Sequence, residues 1–202
     1  ARTCMMAGVG LTGVFLWYLV RFWVYGKAVV LTSAPLTIPA GFLIAGMAVA
    51  TLIGAALASW AAGPISERIE EKNIPVARVV AGACLLYAIG LGLAWGLGVW
   101  STGTARENGM LLFALISGFA FGIYDSLGLE LVMDSLPDPR RAGHDLGIYA
   151  LANSAGLALA AIIGALLVNA FEHSFGYYLL FPSAIVMVLL AGIVTLTTKS
   201  AE

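Results

Sequence analysis

Residues 117–165 read SGFAFGIYDSLGLELVMDSLPDPRRAGHDLGIYALANSAGLALAAIIGA, and this stretch decides the class of fold. It has the form of two membrane-spanning helices joined by a short polar loop. The first carries three acids, Asp125, Glu130 and Asp134, in otherwise apolar company. The loop, DPRRAGHD, holds the densest basic cluster of the chain, and the second helix opens at Asp145. Gly156, Ala160 and Gly164 recur every four residues along that second helix, one above another on one face. An acid inside a membrane helix is expensive and calls for a function.

Working outward, composition fixes the solvent. Hydrophobic residues make up 61% of the 202 and charged residues 10%, with a mean hydropathy of +0.97. Soluble domains carry about 25% charge. A chain of this length cannot bury so much apolar surface in one core, so lipid must cover the rest. The net charge of −1 and the absence of a basic patch beyond short loops give no sign of nucleic-acid binding. Cys4 and Cys84 stand alone in apolar runs and read as small buried hydrophobes. The first apolar run is long enough to span, unlike a cleavable signal, and an opening Ala-Arg rather than Met is expected of a segment of something longer.

The fold class expected is all-α: a single polytopic bundle over residues 1–202 with six spans, at about 4–25, 40–62, 76–100, 110–136, 146–171 and 177–197. The first ends in the aromatic run FLWYLVRFWVY, suited to the interfacial belt, with Arg21 snorkelling there. Small residues recur at helical spacing in the second span (Gly46, Ala50, Gly54, Ala58) and the third (Gly90, Ala94, Gly98). Six spans put both termini on one side. Arg2, Arg68, Lys72, Arg78, Arg140, Arg141 and Lys199 fall on that side, against Arg21, Lys27 and Arg106 on the other. The positive-inside rule makes the termini cytoplasmic, in what is expected to be a bacterial inner membrane.

Gly63-Pro-Ile-Ser-Glu67-Arg68-Ile-Glu-Glu-Lys72 lies between the second and third spans. It resembles the signature loop of the major facilitator superfamily, G-x-x-x-D-R/K-x-G-R-R/K, with Glu67 for the Asp and Glu70 for the second Gly. In such a loop the Gly permits a tight helix exit and the charges pair across the cytoplasmic face. The run LPDPxxAGHDLGIYALAN is more specific. It resembles the sucrose and disaccharide proton-symporter branch of that superfamily, whose pattern is roughly LP-(spacer)-G-K-D-L-G-V-x-N-x-A-N between the tenth and eleventh helices. Gly143, Asp145, Leu146, Gly147, Ala152 and Asn153 match, as do Gly118, Gly122 and Tyr124 in the preceding helix. The close likeness covers about fifty residues. His144 replaces the usual Lys, Ala150 an Asn, Gly156 a Pro and Leu157 a Gln, and Gly128 falls where relatives often carry an acid. The resemblance implies the C-terminal six-helix half of a twelve-helix transporter of a small polar solute, with a sugar and protons as the implied cargo. The implied partners are the bilayer, the solute, and a missing N-terminal half or a homodimer mate.

Asp125 lies near the middle of the fourth span, about 20 Å from either end, where a carboxylate sits protonated or faces a wet cavity. It reads as a proton relay or as a helix–helix hydrogen bond. Glu130 and Asn153 divide between solute or proton contact and interhelical bonding, while Asp134 reads as a solvated helix end. Tyr124 and Trp95 read as packing or as platforms for a sugar ring. Gly63, Glu67, Arg68, Lys72, Arg140, Arg141, Gly143, His144 and Asp145 form the candidate gating loops, with Asp145 expected to cap its helix. His144 and His173 fall on opposite membrane faces and cannot share a metal. No cofactor is implied, and no HExxH, G-x-S-x-G, P-loop or CxxC pair is present to support an enzyme. The alternative is a non-transporting membrane module that binds a partner or lipid through its small-residue faces.

Overall fold

The computed structural model describes residues 1–24, 38–100, 104–134, 142–171 and 173–197. Its helices are α1 (Arg2–Gly13), α2 (Leu16–Leu19), a π-helical turn (Val20–Val24), α3 (Ile38–Glu71), α4 (Val76–Trp100), α5 (Thr104–Asp134), α6 (Ala142–Ala170) and α7 (His173–Thr197). Among the described residues, five helices are long and apolar enough to cross a membrane: within α3, α4, α5, α6 and α7. The expected first span, 4–25, is instead interrupted. Gly8, Gly10 and Gly13 weaken α1, and the helix breaks at Phe15 (φ −98°, ψ 8°). The Phe15 ring fills the space left by the missing side chain of Gly164 on α6.

Two corrections concern loops. The expected loop 63–72 is helical almost throughout, because α3 runs on through Pro64 to Glu71. It then stops in a Schellman turn. Asn73 takes the left-handed conformation (φ 48°), its N–H bonds the Glu70 carbonyl, and the Ile74 N–H bonds the Ile69 carbonyl. Pro75 follows and forbids continuation. At the other site, α6 begins at Ala142, so Gly143, His144 and Asp145 occupy its first turn. Asp145 therefore lies inside the helix and is not its cap. Arg140 and Arg141 lie outside the described residues.

The small residues are where helices meet. A Cβ on Gly118 would collide with the Thr51 carbonyl, one on Gly54 with the Leu115 carbonyl, and one on Gly122 with Ala58. Thus α3 and α5 run parallel with backbones in contact. The α6 stripe does the same against α1: Gly156 faces Thr3 and Met6, Ala160 faces Gly10, and Gly164 faces Phe15. Exchanging α1 with α5, α3 with α6 and α4 with α7 maps the α3–α5 contact onto α6–α1, and α4–α5 onto α7–α1. It leaves the central α4–α7 contact in place, so the bundle is two similar triplets joined back to back. Large apolar side chains such as Phe42, Trp60 and Trp100 point outward, as lipid-facing positions do.

Four substitutions test these contacts. Gly118→Ala should lower thermal stability in detergent by about 1–3 kcal/mol through overpacking. Gly82→Ala should be neutral or mildly stabilising, because a Cβ there meets no atom within 4 Å. Asn73→Val should cost about 1–2 kcal/mol at its left-handed position, and Asn73→Gly nothing measurable.

Candidate functional site

Helical spacing assembles the site. Phe121, Tyr124 and Asp125 lie on one face of α5, and Tyr149 and Asn153 sit one turn apart on α6. Between the two helices comes Arg2, at the start of α1. Its Nη2 is 2.6 Å from Asp125 Oδ1, and its Nε donates to Asn153 Oδ1 at 2.5 Å. The guanidinium carbon lies 4.6 Å from the Tyr149 ring centre, 5.5 Å from Tyr124 and 5.9 Å from Phe121. Three aromatic faces, an amide and a carboxylate thus surround one cation, all interactions that strengthen as water is removed.

Burial across the pair is unequal. The Arg2 side chain is 12% exposed, whereas that of Asp125 is 52% exposed. The cation is enclosed and the anion looks outward from the bundle. Two donors in the cluster, Arg2 Nη1 and the Tyr149 hydroxyl, are buried without a hydrogen-bond partner among the described residues. Tyr124 is buried and stacked on Phe121 at 6.4 Å, so its ring packs against the cluster rather than lying open to a solute.

Depth gives the pair its meaning. Asp125 lies about 14 Å before α5 ends at Asp134, and Asn153 about 16 Å after α6 begins. Measured to the apolar spans themselves, which end at Glu130 and begin at Leu146, the distances are about 8 and 10 Å, so the cluster lies inside the apolar stretches and nearer one end. Arg2, expected among the flanking charges that set orientation, lies inside the bundle beside its carboxylate. An unpaired arginine at the centre of an apolar helix costs at least about 2.5–3.5 kcal/mol.

The remaining candidates stand apart. Glu130 Oε1 accepts a hydrogen bond from Ser66 Oγ of α3 at 3.4 Å, away from the cluster. Gly63, Glu67, Arg68 and Lys72 are exposed along the end of α3, and Gly143 and His144 are exposed on the first turn of α6. Trp95 packs partly buried against the core on α4. Among the described residues no group of three His, Cys, Asp or Glu side chains is placed to hold a metal. Of the candidates named from the sequence, Tyr124, Asp125 and Asn153 lie together here, joined by Arg2 and Tyr149, which were not among them. The usable signal was the spacing of Tyr149 from Asn153 and of Phe121 from Tyr124 and Asp125, two polar-aromatic faces of the kind that hold a cation.

The family model for the Major Facilitator Superfamily matches residues 40–202. The chain belongs to that superfamily. Its members carry solutes across membranes and are not enzymes, so this chain is an integral membrane protein of the transporter class. The superfamily match takes in Asp125, Tyr149 and Asn153, while α1 brings Arg2 to them from outside it. The exchange of α1, α3 and α4 with α5, α6 and α7 agrees with the three-plus-three repeats of such transporters. No curated protein matches the chain, and no solved structure matches it.

The unequal burial makes a specific stability prediction. Asp125→Asn strands a buried guanidinium and should destabilise the protein by about 2 kcal/mol or more. The double variant Arg2→Met with Asp125→Asn should recover part of that loss, measured as detergent Tm. A double variant less stable than Asp125→Asn alone would contradict the ion pair.

Proposed function

We propose that this chain is one half of a secondary transporter that moves a small polar solute with proton coupling through Asp125. The observation that carries the reading is the Arg2–Asp125 pair, held between α1 and α5 within the apolar stretch with the carboxylate half open. Transporters bind cargo near the midplane, where irregular or polar features line a path. Protonation of Asp125 removes its attraction to Arg2 and loosens α5 from α1. Deprotonation restores it. Asn153 and the aromatic rings hold the guanidinium in place through both states.

A sugar is the solute class that the likeness of 136–153 to the disaccharide symporters supports. The positive residues near the ends of α3 and the start of α4 (Arg68, Lys72, Arg78) support termini facing the cytoplasm of a bacterial inner membrane. A half bundle does not enclose a path, so an N-terminal half or a second copy completes it. Glu67, Arg68 and Lys72 then lie at the end of α3 that faces the partner half as the two rock. The partner-binding module is less well supported, because the stripes on α3 and α6 are taken up by α5 and α1.

The test is solute-triggered proton movement in proteoliposomes, with mono- and disaccharides added to the outside. Alkalinisation of the medium with the wild type, lost in Asp125→Asn at equal reconstituted protein, is the expected result. Uptake by Asp125→Asn with unchanged pH dependence would remove Asp125 as the proton carrier.

A further inference from the structure

We propose that the outer groove between α4 and α7 seats one anionic phospholipid, with its phosphate on Arg78 and an acyl chain laid along Gly82. The site lies apart from the Arg2–Asp125 cluster and does not rest on the transport reading.

The first argument concerns shape. The groove encloses about 310 Å³ and is lined by Arg78, Gly82 and Leu85 of α4 and by Leu189, Ile193 and Leu196 of α7. Each lining stretch advances about 10 Å along its helix. Gly82 opens the trough, because a Cβ there meets no atom within 4 Å, whereas Cys84 is set against Gly192. The two helices therefore touch along one line and part beside it. Walls that face an empty space lose dispersion contacts on that side. A flexible alkyl chain restores them, and the surrounding bilayer supplies such chains.

The second argument concerns the direction in which the groove opens. Leu85, Ile193 and Leu196 are each more than half exposed. On the inner side the rings of Tyr87, Phe113 and Phe181 fill the space between α4, α5 and α7. Around the bundle, α4 meets α5, α5 meets α1 through the charge pair, α1 meets α7, and α7 meets α4. The α4–α7 face is thus opposite the side on which α1 and α5 meet. A partner that completes a path past Asp125 stands on that other side, which leaves the groove to lipid.

The third concerns charge. Arg78 is exposed in the first turn of α4, at the end of the apolar stretch that begins at Val76. That turn holds no acid, and no carboxylate lines the groove. Among the described residues no ion pair engages the Arg78 guanidinium. A guanidinium at this level can take two oxygens of one phosphate at once. One cation matches one negative charge. The ammonium of a zwitterionic headgroup finds no carboxylate in this lining, and a second phosphate finds no second cation. The site selects a lipid with one phosphate and no amine.

The experiment uses the protein as the gene encodes it, purified in detergent, with phosphatidylglycerol, phosphatidylethanolamine and glycerol phosphate as probes. Tm and native mass spectrometry are the readouts. Phosphatidylglycerol should raise the Tm and remain bound as one molecule, phosphatidylethanolamine should bind more weakly, and glycerol phosphate should do neither. Arg78→Gln should weaken phosphatidylglycerol binding about fivefold, and Arg78→Lys, which keeps the charge, should weaken it less. Gly82→Leu fills the trough with its own side chain and should abolish the lipid-dependent shift. Where Gly82→Leu does not fold, Ile193→Phe narrows the same trough from α7 and should reduce the shift. A full shift in Arg78→Gln or in the filled variant overturns the assignment, as does a wild type that phosphatidylglycerol does not stabilise. Equal binding of phosphatidylethanolamine overturns the anionic class. A shift with glycerol phosphate alone makes this an anion site and overturns the lipid. Dimers that dissociate in Gly82→Leu give the groove to a second copy of the chain and overturn it too.

Discussion

A guanidinium enclosed among apolar helices governs this structure. Unpaired, Arg2 would drag water into the bundle or pull α1 toward the interface. Asp125, Asn153 and three aromatic rings hold it where it is, and they come from α5 and α6. The three helices are not one packing unit: α1 packs with α6 and α7, whereas α5 packs with α3 and α4. The charge pair therefore ties one triplet to the other, at a level where their backbones hardly touch. Apolar ties join the triplets as well, between α4 and α7 with Gly192 set against Cys84, and between Phe113 of α5 and Phe181 of α7. The Arg2–Asp125 link responds to charge and these do not.

Close packing sets the tolerance of that arrangement. Lipid tails give helices no hydrophobic reason to associate, so backbone approach at Gly54, Gly118 and Gly156 supplies dispersion contacts instead. Such contacts fall off within fractions of an ångström. They fix the azimuth of α5 against α3 and of α1 against α6, which in turn decides where Asp125, Asn153 and Arg2 point. The glycine stripes are thus the supporting frame of the polar cluster.

Much of this was legible in the sequence because it is local. Apolar runs gave the spans from α3 to α7, and spacing by four gave the packing faces. The likeness to the superfamily rested on residues 136–153 and the Gly63–Lys72 stretch, and the superfamily itself is shown by a match over 40–202. Other features were not legible, for physical reasons. Gly63-Pro64 reads as a helix exit, yet α3 runs on through Pro64, and the stop falls at the left-handed Asn73. Arg2 stands at a chain position that looks like a flank, and its depth depends on how α1 slides along α6. That register is set by Met6, Gly10 and Phe15 seating on Gly156, Ala160 and Gly164, a relation between distant segments.

The length of α3 has a mechanical consequence. At 34 residues it measures about 51 Å, some 20 Å more than an apolar layer requires. Glu67, Arg68 and Glu71 ride on that overhang, and Gly63-Pro64 lies between them and the apolar turns without ending the helix. The same rod meets α5 where Gly54 and Gly118 bring the two backbones together, and α5 carries Asp125. One helix and one backbone contact thus join the exposed charges to the partner of Arg2.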